Sequence, residues 1–102
     1  MYTIQQTPIF AKWLKDLRDL RAKARVLARL RQAEHGNLGD VKTVGAGVSE
    51  MRVDIGSGYR LYYTRRHEML IVLLMGGDKA SQRRDIQRAI EMAKDCETWL
   101  KN

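Results

Sequence analysis

The chain has 102 residues and a mass of 11.8 kDa, enough for one compact domain and too little for two. With 44% hydrophobic and 30% charged residues it is richer in apolar side chains than a disordered chain, and its one cysteine excludes an internal disulfide framework and a multi-cysteine zinc site. The formal net charge of +7 is shared by both halves of the chain, so it belongs to the folded surface and points to polyanions such as nucleic acid.

Tyr2 to Thr7 is a short β-prone run, and Pro8 suits the first turn of a helix, where its missing N–H costs nothing. From Ile9 the period becomes helical: Phe10, Trp13, Leu14 and Leu17 share one face, and Val26, Leu27, Leu30 and Ala33 form a second set. A break between two helices is expected within Asp16 to Ala22, with Asp19 as cap, and His35-Gly36-Asn37 is a helix stop.

From Gly39 the pattern is that of strands. Asp40 to Val44 is a short strand, followed by a Gly45-Ala46-Gly47 turn. In Ser49 to Ile55, Met51, Val53 and Ile55 alternate with Glu50, Arg52 and Asp54. Gly56-Ser57-Gly58 is a hairpin loop, Tyr59 to Thr64 a further strand, and Arg65 to Glu68 a turn. Met69 to Met75 is apolar on both faces, as expected of a strand inside a sheet. After Gly76-Gly77-Asp78 a last helix runs from about Lys79 or Ser81 to Leu100, with Ile86, Ala89, Ile90, Ala93 and Leu100 on its core face. The predicted class is α+β, order βααββββα, with an antiparallel meander covered by helices on one face and more open on the other.

The amino-terminal residues lack the basic and apolar regions of a signal peptide, and Met69 to Met75 is far short of the roughly 20 residues that cross a bilayer. The expectation is one domain spanning 1–102, soluble and cytoplasmic, without membrane association.

No Walker-type phosphate loop is present, and two histidines and a cysteine far apart make no metal site. Cys96, late in an amphipathic helix, reads as a small buried residue. What remains is basic and aromatic. If the strands pair through Gly56-Ser57-Gly58, Arg52 and Arg60 stand on one sheet face with Tyr62 beside them. Lys79 and Gln82 lie at the start of the last helix, whose N–H groups attract phosphate, and Lys42 is a further contributor. Such a face holds an RNA phosphate, stacks a base and stabilises charge in phosphoryl transfer. A solvated sheet face carries the same residue types, with Glu50 or Asp54 in ordinary surface ion pairs, and the pattern alone leaves both open. Arg18, Arg21, Arg25 and Arg29 recur at three- and four-residue steps as a basic helical stripe. That stripe is a solvated face, an auxiliary RNA contact or a docking face for an acidic protein.

Four stretches carry a family resemblance. They are Phe10-x-x-Trp13-Leu14-x-x-Leu17, the run from His35-Gly36-Asn37-Leu38-Gly39-Asp40 through Val44-Gly45-x-Gly47-Val48 to Glu50-Met51-Arg52, then Gly58-Tyr59-Arg60-Leu61-Tyr62-Tyr63, and Gly76-Gly77-Asp78-Lys79-x-Ser81-Gln82 with Asp85-Ile86-x-x-Ala89. The chain resembles the addiction-module killer proteins, the HigB-like toxins of the RelE/ParE superfamily. The resemblance implies a type II toxin with that superfamily's fold, neutralised by a helix-turn-helix (HigA-like) antitoxin, as a monomer or as a heterotetramer with it. It also implies metal-independent cleavage of mRNA on the ribosome, with no cofactor; ParE-type relatives instead inhibit DNA gyrase, and a third alternative is a non-catalytic member that acts as half of a toxin–antitoxin repressor complex. On this reading Arg60 stabilises the phosphate, Arg52 and Lys79 hold it, Tyr62 stacks a base and Gln82 hydrogen-bonds the base or backbone. Arg60→Ala is then expected to abolish growth arrest without unfolding the protein. Such nucleases often carry a Tyr or His just before the last helix or near the C-terminus; here Gly76-Gly77 and Trp99-Leu100-Lys101-Asn102 stand in those places, so a clear general acid is missing.

Overall fold

The computed structural model describes residues 1–100, with side chains through Cys96; Leu100 of the expected core face, and the tail Trp99 to Asn102, lie outside the described side chains. In chain order the elements are β1 (Thr3–Gln6), α1 (Pro8–Asp16), α2 (Leu20–Glu34), β2 (Val41–Gly45), β3 (Val48–Val53), β4 (Tyr59–Arg66), β5 (Leu70–Asp78) and α3 (Gln82–Leu100). No described helix is long and apolar enough to cross a membrane.

Local chemistry sets the helix ends. Thr7 caps α1: its hydroxyl oxygen accepts from the Phe10 N–H at 3.0 Å and donates to the Leu74 carbonyl at 2.6 Å, and Pro8 takes the first turn. The backbone turns extended at Leu17, and Asp19 restarts the helix by accepting from the N–H groups of Arg21 and Ala22, both at 3.1 Å. The break expected within Asp16 to Ala22 is therefore present, and Arg18 lies in the connector rather than on the helical stripe. Gly36, at φ +98°, ends α2.

The five strands order as β1-β5-β4-β3-β2. β2 to β5 form the expected antiparallel meander, but β1 pairs with β5 in parallel, from Thr3 opposite Leu70 to Gln6 opposite Leu73, so the sheet is mixed. The parallel pairing follows from Thr7. Its N–H donates to the Leu73 carbonyl and its hydroxyl to the Leu74 carbonyl, which ties the β1–α1 junction along β5.

The expectation that helices cover one face is also corrected. Phe10, Leu14, Val26 and Leu30 of α1 and α2 pack on Met51, Val53, Leu61, Tyr63, Ile71 and Leu73 on one face. Ala89, Ala93 and Cys96 of α3 pack on Val48, Tyr62, Val72, Leu74 and Met75 on the other. Both-face burial of β5 demands this: its alternating residues each need cover, and each large apolar side chain taken from water contributes roughly 1.5–3 kcal/mol. Cys96 is buried, as expected, and burial pushes its thiol pKa up, which disfavours the thiolate.

Gly76 and Gly77 continue β5 instead of ending it, because the two faces close on them. A Cβ at Gly76 would lie 2.4 Å from the Trp13 ring, and one at Gly77 would lie 2.0 Å from an Asp85 carboxylate oxygen. No tyrosine or histidine fits there, which gives the physical reason for the missing side chain before α3.

Candidate functional site

The β3–β4 register sets Arg52 opposite Arg60 and Glu50 opposite Tyr62, and the β4–β5 register sets Gly77 beside Arg60. With side chains alternating along each strand, Glu50, Arg52, Arg60 and Tyr62 share the face that α3 covers. Lys42, opposite Glu50 on edge strand β2, belongs to the same face and is exposed.

Glu50 is the hub. It was expected in surface ion pairs, yet it is fully buried. One carboxylate oxygen lies 3.3 Å from Arg60 Nε and 3.7 Å from Arg52 Nε, and the other accepts from the Gln82 amide at 3.0 Å. β3, β4 and the first residue of α3 are thus joined at one negative charge, and Gln82 serves this carboxylate. A buried carboxylate persists only when its charge is matched and its lone pairs are used, and two guanidinium groups with an amide meet both needs.

Arg60 is held from two sides. Its side chain is 12% exposed, with Nε on Glu50 and Nη1 donating to the Gly58 carbonyl at 3.1 Å. A guanidinium has five N–H donors, so three of Arg60's have no partner among the described residues. Arg52, 41% exposed, also pairs with Asp40 at 3.7 Å. Lys79 precedes α3 rather than starting it; it is exposed and forms no ion pair among the described residues. Arg52, Arg60 and Lys79 line one cleft of about 250 Å³, with Asp40 and Asp54 as its carboxylates. The three cations singled out on sheet and loop are therefore together, in a concavity sized for a phosphate and part of a nucleotide.

Other expectations change. Near the amino end of α3, Asp78 accepts from the Ser81 N–H at 3.2 Å, and buried Asp85 accepts from the Ser81 hydroxyl. Two carboxylates thus stand at this helix end, beside the exposed Arg83 and Arg84 of its first turn, and the charge that lines the cleft comes from Arg52, Arg60 and Lys79.

Tyr62 cannot stack a base here, because it is fully buried against α3, and its hydroxyl has no hydrogen-bond partner among the described residues. Burial, with the charges of Glu50 and Asp85 added, raises its pKa well above the ordinary tyrosine value, and burial raises that of Tyr63 too. The unfolded tyrosines release protons near pH 10 while the folded ones keep theirs, so this stability is full below about pH 10 and is lost as pH rises beyond it. Tyr62→Phe, which removes the unpaired hydroxyl, is expected to stabilise the protein by about 1 kcal/mol and to flatten the alkaline loss in chemical denaturation. A folded but less stable variant would show that the hydroxyl is satisfied.

Of the basic stripe, Arg29 is structural. Its guanidinium donates to the carbonyls of Arg52, of Leu38 at 2.9 Å and of Asp40 at 3.4 Å, strapping the loop before β2 and the end of β3 to α2. Its burial lowers its pKa, and three carbonyls hold the charge. Arg21 and Arg25 are exposed on α2, which packs on the sheet face opposite the cleft, and Arg18 is exposed in the connector.

Sequence reasoning missed Glu50 as the hub. The available signal was its place on the same alternating face as Arg52, opposite a tyrosine of the next strand: a carboxylate among cations and an aromatic ring has reason to be covered.

The sequence profile of a family described as Phage derived protein Gp49-like (DUF891) matches residues 12–96. An uncharacterized protein of Haemophilus influenzae is 44% identical over 92 residues, spanning 90% of this chain and 93% of that protein.

Proposed function

The chain belongs to the Gp49-like phage-derived family, a family associated with toxin–antitoxin toxins of RelE-like type, and we propose that it is the toxin of a type II module: a HigB-like member of the RelE/ParE superfamily that cleaves mRNA on the ribosome and is silenced by a cognate HigA-like antitoxin. The observation that carries this reading is the convergence of Arg52, Arg60 and Lys79 on one cleft.

Cleavage without a metal proceeds by attack of a ribose 2′-oxygen on the adjacent phosphate, with a 5′-oxygen leaving. Negative charge accumulates on the phosphate oxygens in the transition state. Arg60 is preorganised for that charge, because Glu50 and the Gly58 carbonyl fix its plane while three N–H donors have no partner among the described residues. Arg52 and Lys79 add charge from β3 and from the loop before α3. Charge stabilisation is the part of the reaction these residues perform; the cleft holds no histidine or buried acid suited to general acid–base work, consistent with cleavage that needs the ribosome.

The test is to induce the protein in growing cells and map mRNA 5′ ends together with plasmid supercoiling. New ends at a fixed codon position on translated messages are expected. Intact messages with lost negative supercoiling would replace this reading with ParE-like inhibition of gyrase.

A further inference from the structure

We infer that the outward face of α2 docks an acidic amphipathic helix of a protein partner. α2 buries Ala22, Val26, Leu30 and Ala33 against the sheet. On its opposite side Leu20, Ala24, Leu27 and Arg31 follow at steps of four, three and four, which places them in one line along the helix. Leu20 is 75% exposed and Leu27 44%, and Ala24 and Ala28 are exposed beside them. A helix that buries its inner face this completely has no internal use for a second apolar line.

Charge and shape together choose the occupant. Arg21 and Arg25 run along one side of the line, Arg31 closes it, and none of the three pairs with a carboxylate among the described residues. A second copy of this chain would bring like charges together on a molecule of net charge +7. RNA would engage the arginines and leave Leu20 and Leu27 without apolar partners. A helix with leucines on one stripe and carboxylates beside it satisfies both, and Ala24 and Ala28 are small enough for two backbones to approach to the usual 8–10 Å. At its carboxyl end the line meets a shallow depression between Ala28, Arg31, Gln32 and His35, which extends the seat.

This surface lies on the sheet face opposite Arg52, Arg60 and Lys79, so it stands apart from the nuclease reading and is tested without any activity. The probe is a synthetic helical peptide with leucine at heptad positions a and d and glutamate at e and g. Its counterpart carries lysine at e and g, and a single-stranded RNA 20-mer is the third titrant. In an amide NMR titration of the full chain, the glutamate peptide is expected to shift the amides of residues 20–32 saturably and the lysine peptide to leave them unmoved. Leu27→Glu is expected to weaken binding at least tenfold, and Arg25→Glu severalfold with a flatter salt dependence. Both positions are exposed, so the variants keep the fold. Absence of saturable shifts with the glutamate peptide overturns the inference. So does RNA moving the same amides more tightly, or concentration-dependent shifts of those amides without any titrant, which would mark a contact between copies.

Discussion

Glu50→Ala is expected to lower the stability of the fold by about 3 kcal/mol, seen as a fall in Tm of roughly 15 °C. The carboxylate itself is fully buried, so its own hydration is not what is lost. The loss comes from what stays behind: Arg60, 12% exposed, keeps a guanidinium with no counter-charge, Arg52 keeps only Asp40, and the Gln82 amide loses its acceptor. The partial solvent access of Arg52 and Arg60 places the cost at the lower end of what breaking a buried ion pair entails. A double variant separates this cause from simple loss of packing. Glu50→Met alone leaves the same unmatched cations, whereas Glu50→Met with Arg60→Met removes charge on both sides, and it is expected to recover much of the stability. Thermal unfolding of the three variants decides the matter, and a Glu50→Ala protein with an unchanged Tm would show that this carboxylate does not hold β3, β4 and α3 together.

That hub also changes how Arg60 must be probed. Read from the sequence, Arg60→Ala abolishes growth arrest and leaves the fold untouched. With Arg60 seated on buried Glu50, the alanine variant strips a buried carboxylate of its nearest cation, and stability and function fall together. Arg60→Lys keeps a charge near Glu50 while losing the planar fork that sets three donors toward the cleft, so it separates the two roles better.

The cases of Glu50, Tyr62 and Arg29 show where a linear reading stops. Alternation placed Glu50, Arg52 and Arg60 on one face because side-chain period is a property of the strand alone. Capping at Asp19 was legible for a similar reason: the donors and the acceptor lie within three residues of each other. What covers a face depends on elements distant in the chain. α3, which closes over Tyr62 and Glu50, begins only at Gln82, and nothing in Tyr59 to Thr64 announces it. The both-face apolar run from Met69 to Met75 did contain the answer in part, since such a strand needs helices on two sides. Arg29 was legible as a helical residue and not as a strap, because its carbonyl partners belong to loop geometry that Gly39, at φ +69°, makes possible. A basic residue at helical spacing looks the same from sequence whether it faces water or three carbonyls.

Lys79→Ala combined with Arg52→Ala is expected to lower mRNA cleavage by roughly a thousandfold, and Lys79→Ala alone by about a hundredfold. Lys79 is the cleanest probe of the cleft, being exposed and without an ion pair among the described residues, so its removal leaves stability within about 0.5 kcal/mol. Arg52 lies 3.7 Å from exposed Asp40 and from buried Glu50, and Glu50 keeps the nearer Arg60 at 3.3 Å and the Gln82 amide at 3.0 Å when Arg52 is removed, so the Arg52→Ala variant also stays folded. The reason for a large effect on rate is the setting of the lost charge. The cleft has three cations and two carboxylates, so removing Lys79 and Arg52 leaves Arg60 as its one cation against Asp40 and Asp54. Field at the phosphate then changes sign, which weakens substrate binding and transition-state stabilisation at once. Each lost phosphate contact is also expected to reduce the slope of log affinity against log salt by about one. Cleavage in a purified translation system, colony survival on induction and thermal unfolding of the same variants form the measurement. A double variant that is folded and as toxic as the parent would show that the phosphate is held elsewhere on the molecule.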